Sequence, residues 1–298
     1  MKAINAGVLE IAYLENGPLD GEPVVLLHGF PYDVHAYDEV ARILAAAGKR
    51  CLVPYLRGYG PTKFLSKQTM RSGEQAAVGA DLLAFLDAMK IEKALLAGYD
   101  WGGRAACIVA ALWPERVTGL VSCGGYSIQN ISKAHEPASP EAEHLLWYQY
   151  YLHGSRGRAG LTANRKDFCH LLWKMWSPTW EFSQKEFETT AAAFENDDFV
   201  DVVTHSYRHR FGLVDGDPAY QSIASRLATQ PRIAVPSLVL EGDADAVDPP
   251  ANDDPFAQHF TGPYHRKVLT GIGHNVPQED PQAFARAVLR LEYGCDDS

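Results

Sequence analysis

The sequence predicts an α/β protein: a mostly parallel, doubly wound sheet with an inserted helical cap. In the first half of the chain, short apolar runs typical of buried strands alternate with amphipathic helical stretches. From about residue 126 to 215 clear strand signals stop, and the sequence becomes helical and rich in aromatic residues. The strand rhythm then returns. We therefore expect a core formed by residues 1–125 and 216–298, and a cap formed by residues 126–215.

The individual elements follow from apolar periodicity. Continuous apolar runs indicate strands covered on both faces, and apolar residues spaced three and four apart indicate helices. The predicted strands are 23–27, 51–53, 93–97, 117–121, 236–240 and one near 267–269. The predicted helices of the core are 40–47, 82–89, 101–112 and 284–291.

Composition limits the class of protein. The chain has 298 residues, of which 46% are hydrophobic, and a formal net charge of −10, so nucleic acid and anionic membranes are not expected partners. It has no apolar run long enough to span a bilayer and no secretory pattern at its N-terminus. The five cysteines are odd in number and scattered, which predicts buried thiols and a cytoplasmic protein: Cys51, Cys107, Cys123, Cys169 and Cys295.

The strongest chemical signal is the segment 98–103, Gly-Tyr-Asp-Trp-Gly-Gly, between a predicted strand and a predicted helix. It fits a nucleophile elbow with Asp100 at the apex. A carboxylate that attacks a saturated carbon leaves an ester, which water can cleave, whereas a serine would leave a stable ether. Asp100 therefore predicts the opening of epoxides or alkyl halides. The alternative interpretation is a simple helix N-cap.

Three further segments supply partners for Asp100. The turn His28-Gly29-Phe30-Pro31 ends an early strand, so the backbone N–H groups of Phe30 and Trp101 form a candidate oxyanion hole. His274 lies in a glycine-flanked loop after a late strand and is the candidate general base. The orienting acid is expected in the loop 241–248. Asp245 is favoured there, and two alternatives stay open: Asp243 and Asp248.

These motifs resemble the α/β-hydrolase superfamily over nearly the whole chain. Within it, the chain resembles epoxide hydrolases and the related haloalkane and fluoroacetate dehalogenases, which also have a loop like Arg57-Gly58-Tyr59-Gly60-Pro61. Epoxide hydrolases have two cap tyrosines that hold and protonate the epoxide oxygen. The matching positions are Tyr148, in Trp147-Tyr148-Gln149-Tyr150-Tyr151, and Tyr207, which precedes an arginine. Tyr150 and Tyr151 are fallback choices for the first, and packing of the cap is the alternative role.

Comparison with the dehalogenase branches favours the epoxide hydrolases. Haloalkane dehalogenases usually have asparagine where this chain has Phe30. Fluoroacetate dehalogenases usually have arginine where it has Trp101. Arg104 does match a later arginine of that branch, so an acid-bearing substrate stays open, although an exposed helix charge is the favoured interpretation.

The resemblance therefore implies an epoxide hydrolase that forms a vicinal diol through a covalent ester, without cofactor or metal. The main alternative is a haloalkane or haloacid dehalogenase, and a non-catalytic binding protein ranks third. A small apolar epoxide or organohalide is the expected partner. The oligomeric state stays open. The candidate substrate-binding residues are Trp101, Trp147 and Tyr151.

Overall fold

The sheet determines where the functional loops meet. A computed structural model describes residues 1–291. Its strands are β1 (Lys2–Ala6), β2 (Leu9–Asn16), β3 (Pro23–Leu27), β4 (Arg50–Pro54), β5 (Lys63–Phe64), β6 (Ala94–Tyr99), β7 (Val117–Cys123), β8 (Ser237–Gly242) and β9 (Tyr264–Leu269). These nine strands form one mixed sheet in the order β1-β2-β4-β3-β6-β7-β8-β9, with β5 paired to β2. Six neighbouring strands are mutually parallel: β4, β3, β6, β7, β8 and β9. Strand β2 pairs antiparallel with β1, β4 and β5.

Helices cover the sheet and form the segment between β7 and β8. Those of the core are α1 (Asp38–Ala46), α2 (Gln75–Ala88), α3 (Asp100–Leu112), α10 (Val276–Glu279) and α11 (Pro281–Arg290). Those between β7 and β8 are α4 (Pro140–Leu145), α5 (Trp147–His153), α6 (Ser155–Trp176), α7 (Gln184–Ala191), α8 (Phe199–His209) and α9 (Gln221–Leu227). Short 3-10 helices occur at Val34–Tyr37, Pro114–Arg116, Ile131–Lys133, Ala192–Glu195, Pro218–Tyr220 and Ala257–His259.

The fold class and the six strands predicted from sequence are confirmed, whereas β1, β2 and β5 were missed. In β2 burial alternates only from Leu9 through Glu10 to Ile11, because Ala12 and Tyr13 are both buried. A period of two over three residues is a weaker strand signal than a continuous apolar run. No helix among residues 1–291 is long and apolar enough to cross a membrane. Four cysteines are buried free thiols, and Cys295 lies outside the described residues: Cys51, Cys107, Cys123 and Cys169.

The segment between β7 and β8 has an aromatic core of its own. The ring of Trp173 lies 5.3 Å from that of Trp180 and 5.1 Å from that of Phe182. The indole N–H of Trp173 donates to the carbonyl oxygen of Pro31 at 2.8 Å, which joins this segment to the turn after β3. The cap boundaries at residues 126 and 215 remain a prediction.

Arg57, in the loop after β4, is a structural anchor. Its buried guanidinium donates to both carboxylate oxygens of Asp81 at 2.6 and 2.7 Å and to the carbonyl oxygen of Ser72 at 2.7 Å. Removing one partner of such a pair leaves an uncompensated buried charge. We expect Arg57→Met to lower the free energy of unfolding by about 3–5 kcal/mol in urea titrations. Arg42→Met is the control and should leave the midpoint unchanged, because the Arg42–Glu39 pair is exposed. Equal midpoints of urea unfolding for the two variants would contradict this structural role of Arg57.

Candidate active site

Asp100 lies at the sharp turn between β6 and α3. Its φ of +49° is in the left-handed region, which few residues other than glycine adopt. Glycine is required beside it, since a Cβ on Gly102 would lie 2.0 Å from the carbonyl oxygen of Leu27. The turn therefore holds the carboxylate above the carboxyl end of the sheet, at the start of a helix whose dipole favours negative charge.

The turn after β3 lies directly against this carboxylate. The backbone N–H of Phe30 donates to Oδ1 of Asp100 at 2.7 Å. Gly29 permits the approach, because a Cβ there would lie 2.5 Å from the Cβ of Asp100. His28, which precedes Gly29 in this turn, is buried, and burial lowers the pKa of its imidazole to about 4, so the ring is neutral. Its Nε2 accepts from the N–H of Leu56 at 3.1 Å, which joins the turn to the loop after β4.

His274 faces two carboxylates. Its Nδ1 donates to Oδ2 of Asp245 at 2.8 Å, and its Nε2 lies 3.9 Å from Oδ2 of Asp100. Burial alone would lower the pKa of His274, but the hydrogen bond and charge of Asp245, with the charges of Asp100 and Asp248, raise it to about 9. Nε2 is buried without a hydrogen-bond partner in residues 1–291, and it faces the carboxylate of Asp100.

The three acids that the sequence left open have different surroundings. Asp245 holds His274 through one oxygen and accepts from the N–H groups of Val247 and Asp248 through the other, at 2.9 and 3.0 Å. These contacts outweigh burial and lower its pKa. Asp243 is exposed and accepts from the N–H of Gly271 at 2.6 Å. Asp248 lines the cavity described below.

The two tyrosines predicted to belong to the cap pack against each other near Asp100. The rings of Tyr148 and Tyr207 lie 5.3 Å apart, edge to face, and both side chains are buried. Burial raises the pKa of each, and the charge of Asp100 adds to this, so both are neutral phenols. The hydroxyl of Tyr148 accepts from Nε2 of Gln149 at 2.9 Å. The hydroxyl of Tyr207 has no hydrogen-bond partner in the described part of the chain.

A cavity of about 280 Å³ adjoins the carboxylate. Its wall includes Tyr148 and six acidic or basic residues besides Asp100: Arg104, Arg210, Glu241, Asp245, Asp248 and His274. The expectation that Arg104 is an exposed helix charge is wrong. Its side chain points into the cavity, and its Nε donates to the carbonyl oxygen of Ser127 at 3.0 Å.

Comparison with known proteins assigns the family. Residues 22–281 match the model of the alpha/beta hydrolase fold. This chain belongs to the α/β-hydrolase family. Epoxide hydrolase A of Mycobacterium tuberculosis is 23% identical over 99% of this chain and 98% of its own length. A haloalkane dehalogenase of Mycolicibacterium paratuberculosis is 32% identical over 40% of this chain and 38% of its own.

A solved structure from Klebsiella pneumoniae, described provisionally as an epoxide hydrolase, is 46% identical to this chain. The match covers 98% of this chain and 97% of the other, with a TM-score of 0.96. This protein is therefore an epoxide hydrolase-like α/β hydrolase with haloalkane dehalogenase relatives, as the resemblance of its motifs predicts.

Not all predicted substrate-binding residues of this α/β hydrolase lie at the cavity. Trp147 and Tyr151 pack against Phe168, with ring distances of 6.0 and 5.8 Å, and neither lines the cavity. Trp101 is buried next to Asp100, and its ring stacks on that of Phe30 at 5.8 Å. Its indole N–H has no hydrogen-bond partner among residues 1–291.

Two residues that sequence reasoning missed hold the His274 loop. Ser177, at the end of α6, accepts from the N–H of His274 at 2.9 Å and donates to Glu279 at 2.6 Å. Glu279 also accepts from the N–H groups of Gly273 and Asn275 at 2.6 and 2.9 Å. Ser177, from the segment between β7 and β8, thus helps to fix the position of the imidazole. No local motif marks the contacts of Ser177, because they join segments about 100 residues apart.

Proposed function

We propose that this protein is an epoxide hydrolase that opens an epoxide to a vicinal diol through an ester on Asp100. The observation that carries the proposal is the arrangement around one carboxylate. Oδ1 accepts a backbone N–H from Phe30, Oδ2 faces the Nε2 of His274, and the Tyr148 phenol shares the cavity. A nucleophile, an oriented base and an acid for the leaving oxygen are what this reaction requires.

In the first half-reaction, Asp100 attacks an epoxide carbon. The carbon–oxygen bond of the ring breaks as the bond to a carboxylate oxygen of Asp100 forms. The alkoxide that leaves takes a phenolic proton from Tyr148 or Tyr207. The N–H of Phe30 keeps the other oxygen of Asp100 in place, so the attacking oxygen is fixed in direction.

In the second half-reaction, water attacks the carbonyl carbon of the ester. His274 takes the proton of that water, and Asp245 stabilises the imidazolium that forms. The oxyanion lies where Oδ1 of Asp100 lies now, next to the N–H of Phe30, with that of Trp101 as the second donor. Collapse releases the diol, which takes a proton from His274, and the acid proton of Asp100 returns to the phenolate.

Single turnover in ¹⁸O-labelled water tests the covalent route. With enzyme in excess over a styrene-oxide-like epoxide, we expect the label in the peptide that contains Asp100 and unlabelled diol. The reason is that water attacks the ester at its acyl carbon. Label that passes directly into the diol, with unlabelled enzyme, would exclude this route.

Removal of the phenols should slow the first half-reaction. We expect Tyr148→Phe and Tyr207→Phe each to lower the rate of ester formation by about 10- to 100-fold, since one donor remains, and the double variant by about 10²–10⁴-fold. Stopped-flow fluorescence measures this step. Tyr13→Phe on β2 is the control and should match the wild type. Undiminished ester formation in the double variant would contradict the assignment.

The second half-reaction should depend on pH. The base must be neutral, so its rate should rise with pH through the pKa of His274 and then level off. That pKa, about 9 in the free protein, should be lower in the ester because esterification removes the charge of Asp100. Rapid-quench measurements from pH 5 to 10 should therefore give an inflection below 9. A rate independent of pH would contradict His274 as the base.

A dehalogenase is the second candidate. The unpartnered indole N–H of Trp101 is suited to bind a departing halide. Turnover of the epoxide, a haloalkane and fluoroacetate under the same conditions separates these functions. Halide release without diol formation from the epoxide would favour dehalogenation.

A further inference from the structure

Arg104 and Arg210 are two cationic side chains in the cavity for which the proposed reaction has no use. Arg104 lies on α3 and Arg210 ends α8, so one comes from the core and the other from the cap. Neither has a carboxylate within 4.0 Å in residues 1–291, whereas Arg57, Arg71 and Arg266 each have one. We propose that this pair binds a carboxylate on the substrate, so that the enzyme acts on epoxy acids.

Burial is costly for two donor atoms of Arg210. Nε and Nη2 of Arg210 are buried without a hydrogen-bond partner in the described part of the chain. Its Nη1 reaches Oε1 of Gln149 at 3.5 Å, and its guanidinium lies 4.5 Å from the ring centre of Tyr207. A buried donor without an acceptor destabilises the protein, and a charged one more so. A bound carboxylate would supply the missing acceptor.

The two cations also influence each other. Burial, together with the charge of Arg210, lowers the pKa of Arg104 to about 10. Two guanidinium groups that face one cavity are suited to an anion bound between them, since guanidinium matches the planar geometry of a carboxylate. Gln129 and Gln149 add amide groups to the same wall.

The charge balance favours a monoanion while Asp248 is neutral. Of the other charged groups on the wall, Asp245 pairs with His274, and Glu241 pairs with Arg266. The two arginines and Asp100 then leave one positive charge. Burial and the charge of Asp245 raise the pKa of Asp248 to about 7, so this excess is present below that pH. A carboxylate compensates the excess, whereas a dianion would exceed it.

Arg104 and Asp100 lie close together on the same helix. Arg104 is four positions after Asp100, about 6 Å along the helix axis. Both residues line the cavity, so one small substrate can contact both side chains. A cavity of about 280 Å³ is small for a ligand site, which favours a compact substrate.

The expected reaction on epoxy acids rests on the proposed function, whereas the expected binding of a carboxylate does not. Two pairs of compounds therefore test binding and turnover separately. The binding pair is trans-phenylcyclopropanecarboxylate and its carboxamide, which cannot be opened. Titration calorimetry should give a Kd at least about tenfold lower for the carboxylate, the range expected for charge-assisted hydrogen bonds. Equal affinities for the wild type would overturn the inference.

Variants test whether the two arginines cause the preference for the carboxylate over the carboxamide. In Arg210→Met and Arg104→Met the ratio of the two Kd values should fall towards one, and in Arg210→Lys it should be partly kept. Arg208→Met, which removes an exposed charge from the same helix, is the matched control and should keep the ratio. If Arg210→Met does not fold, the ratio of the two Kd values in the wild type and in Arg210→Lys still tests the inference. An unchanged ratio in all folded arginine variants of the cavity would overturn the assignment.

The turnover pair is phenylglycidate and phenylglycidamide. We expect kcat/KM to be about 10- to 100-fold higher for the acid. Comparable values, or a preference for the amide, would overturn the inference while epoxide hydrolysis stands. Tight carboxylate binding without opening of either epoxide would support the anion site and reject the proposed function.

Discussion

Replacement of Asp100 by asparagine is expected to lower kcat for epoxide opening by about 10⁴-fold or more. The amide has no anionic oxygen to attack carbon. His274, which faces Asp100 from 3.9 Å, is itself paired with Asp245. The primary measurement is the intact mass of the protein after rapid quenching. The wild type should gain the mass of the substrate transiently, and Asp100→Asn should not.

Asparagine is the appropriate replacement because of the backbone. At φ +49° most side chains are strained, whereas asparagine adopts the left-handed region readily. The variant should therefore fold with an unchanged midpoint of thermal unfolding. The amide carbonyl of the variant lies where the ester carbonyl forms, so water activated by His274 can slowly restore aspartate. A mass check before each assay detects that one-dalton gain.

Asp248→Asn is the matched control, since it removes another carboxylate from the same cavity wall. That variant should still form the ester, because Asp100 and its contact with Phe30 are intact. Ester formation by Asp100→Asn with its mass verified would mean that a different residue attacks the substrate. Loss of the ester in Asp248→Asn alone would have the same meaning.

The framework of the site could be predicted from the sequence because local patterns determine it. An apolar run, a glycine-rich turn and a helix mark the position of Asp100, and parallel strands bring their carboxyl ends to one edge. The order along the chain then places Asp245 and His274 near it. The choice of Asp245 over Asp243 and Asp248 depended on spacing, and the three loop carboxylates differ in contacts that only the folded loop reveals.

The side chains of the segment between β7 and β8 could not be predicted in the same way, because tertiary packing orients them. Tyr148 and Tyr151 lie on one short helix, yet Tyr148 lines the cavity and Tyr151 packs against Phe168. Apart from Asp100, Arg104 is the only charged residue of its helix, and no local rule distinguishes an exposed charge there from one that faces a cavity. Arg210 was missed because its place on the cavity wall depends on how this segment packs on the sheet.

Replacement of His274 by glutamine is expected to stop the reaction after its first half. Asp100 still attacks, but no base removes the proton of the attacking water, so kcat should fall by about 10³-fold or more. Mixing the variant with epoxide should consume one equivalent of substrate in a burst. The protein should then keep the added mass of the substrate for minutes, on the peptide that contains Asp100.

Glutamine suits this test because it nearly fills the space of the imidazole and keeps an uncharged polar end beside Asp245. The double variant Asp100→Asn with His274→Gln is the control and should gain no mass, which assigns the ester to Asp100. The two single variants then distinguish the two roles, because Asp100→Asn prevents formation of the ester and His274→Gln prevents its hydrolysis. Steady turnover by His274→Gln, without an accumulated ester, would show that water is activated elsewhere, and the pairing of His274 with Asp245 at 2.8 Å would then be structural only.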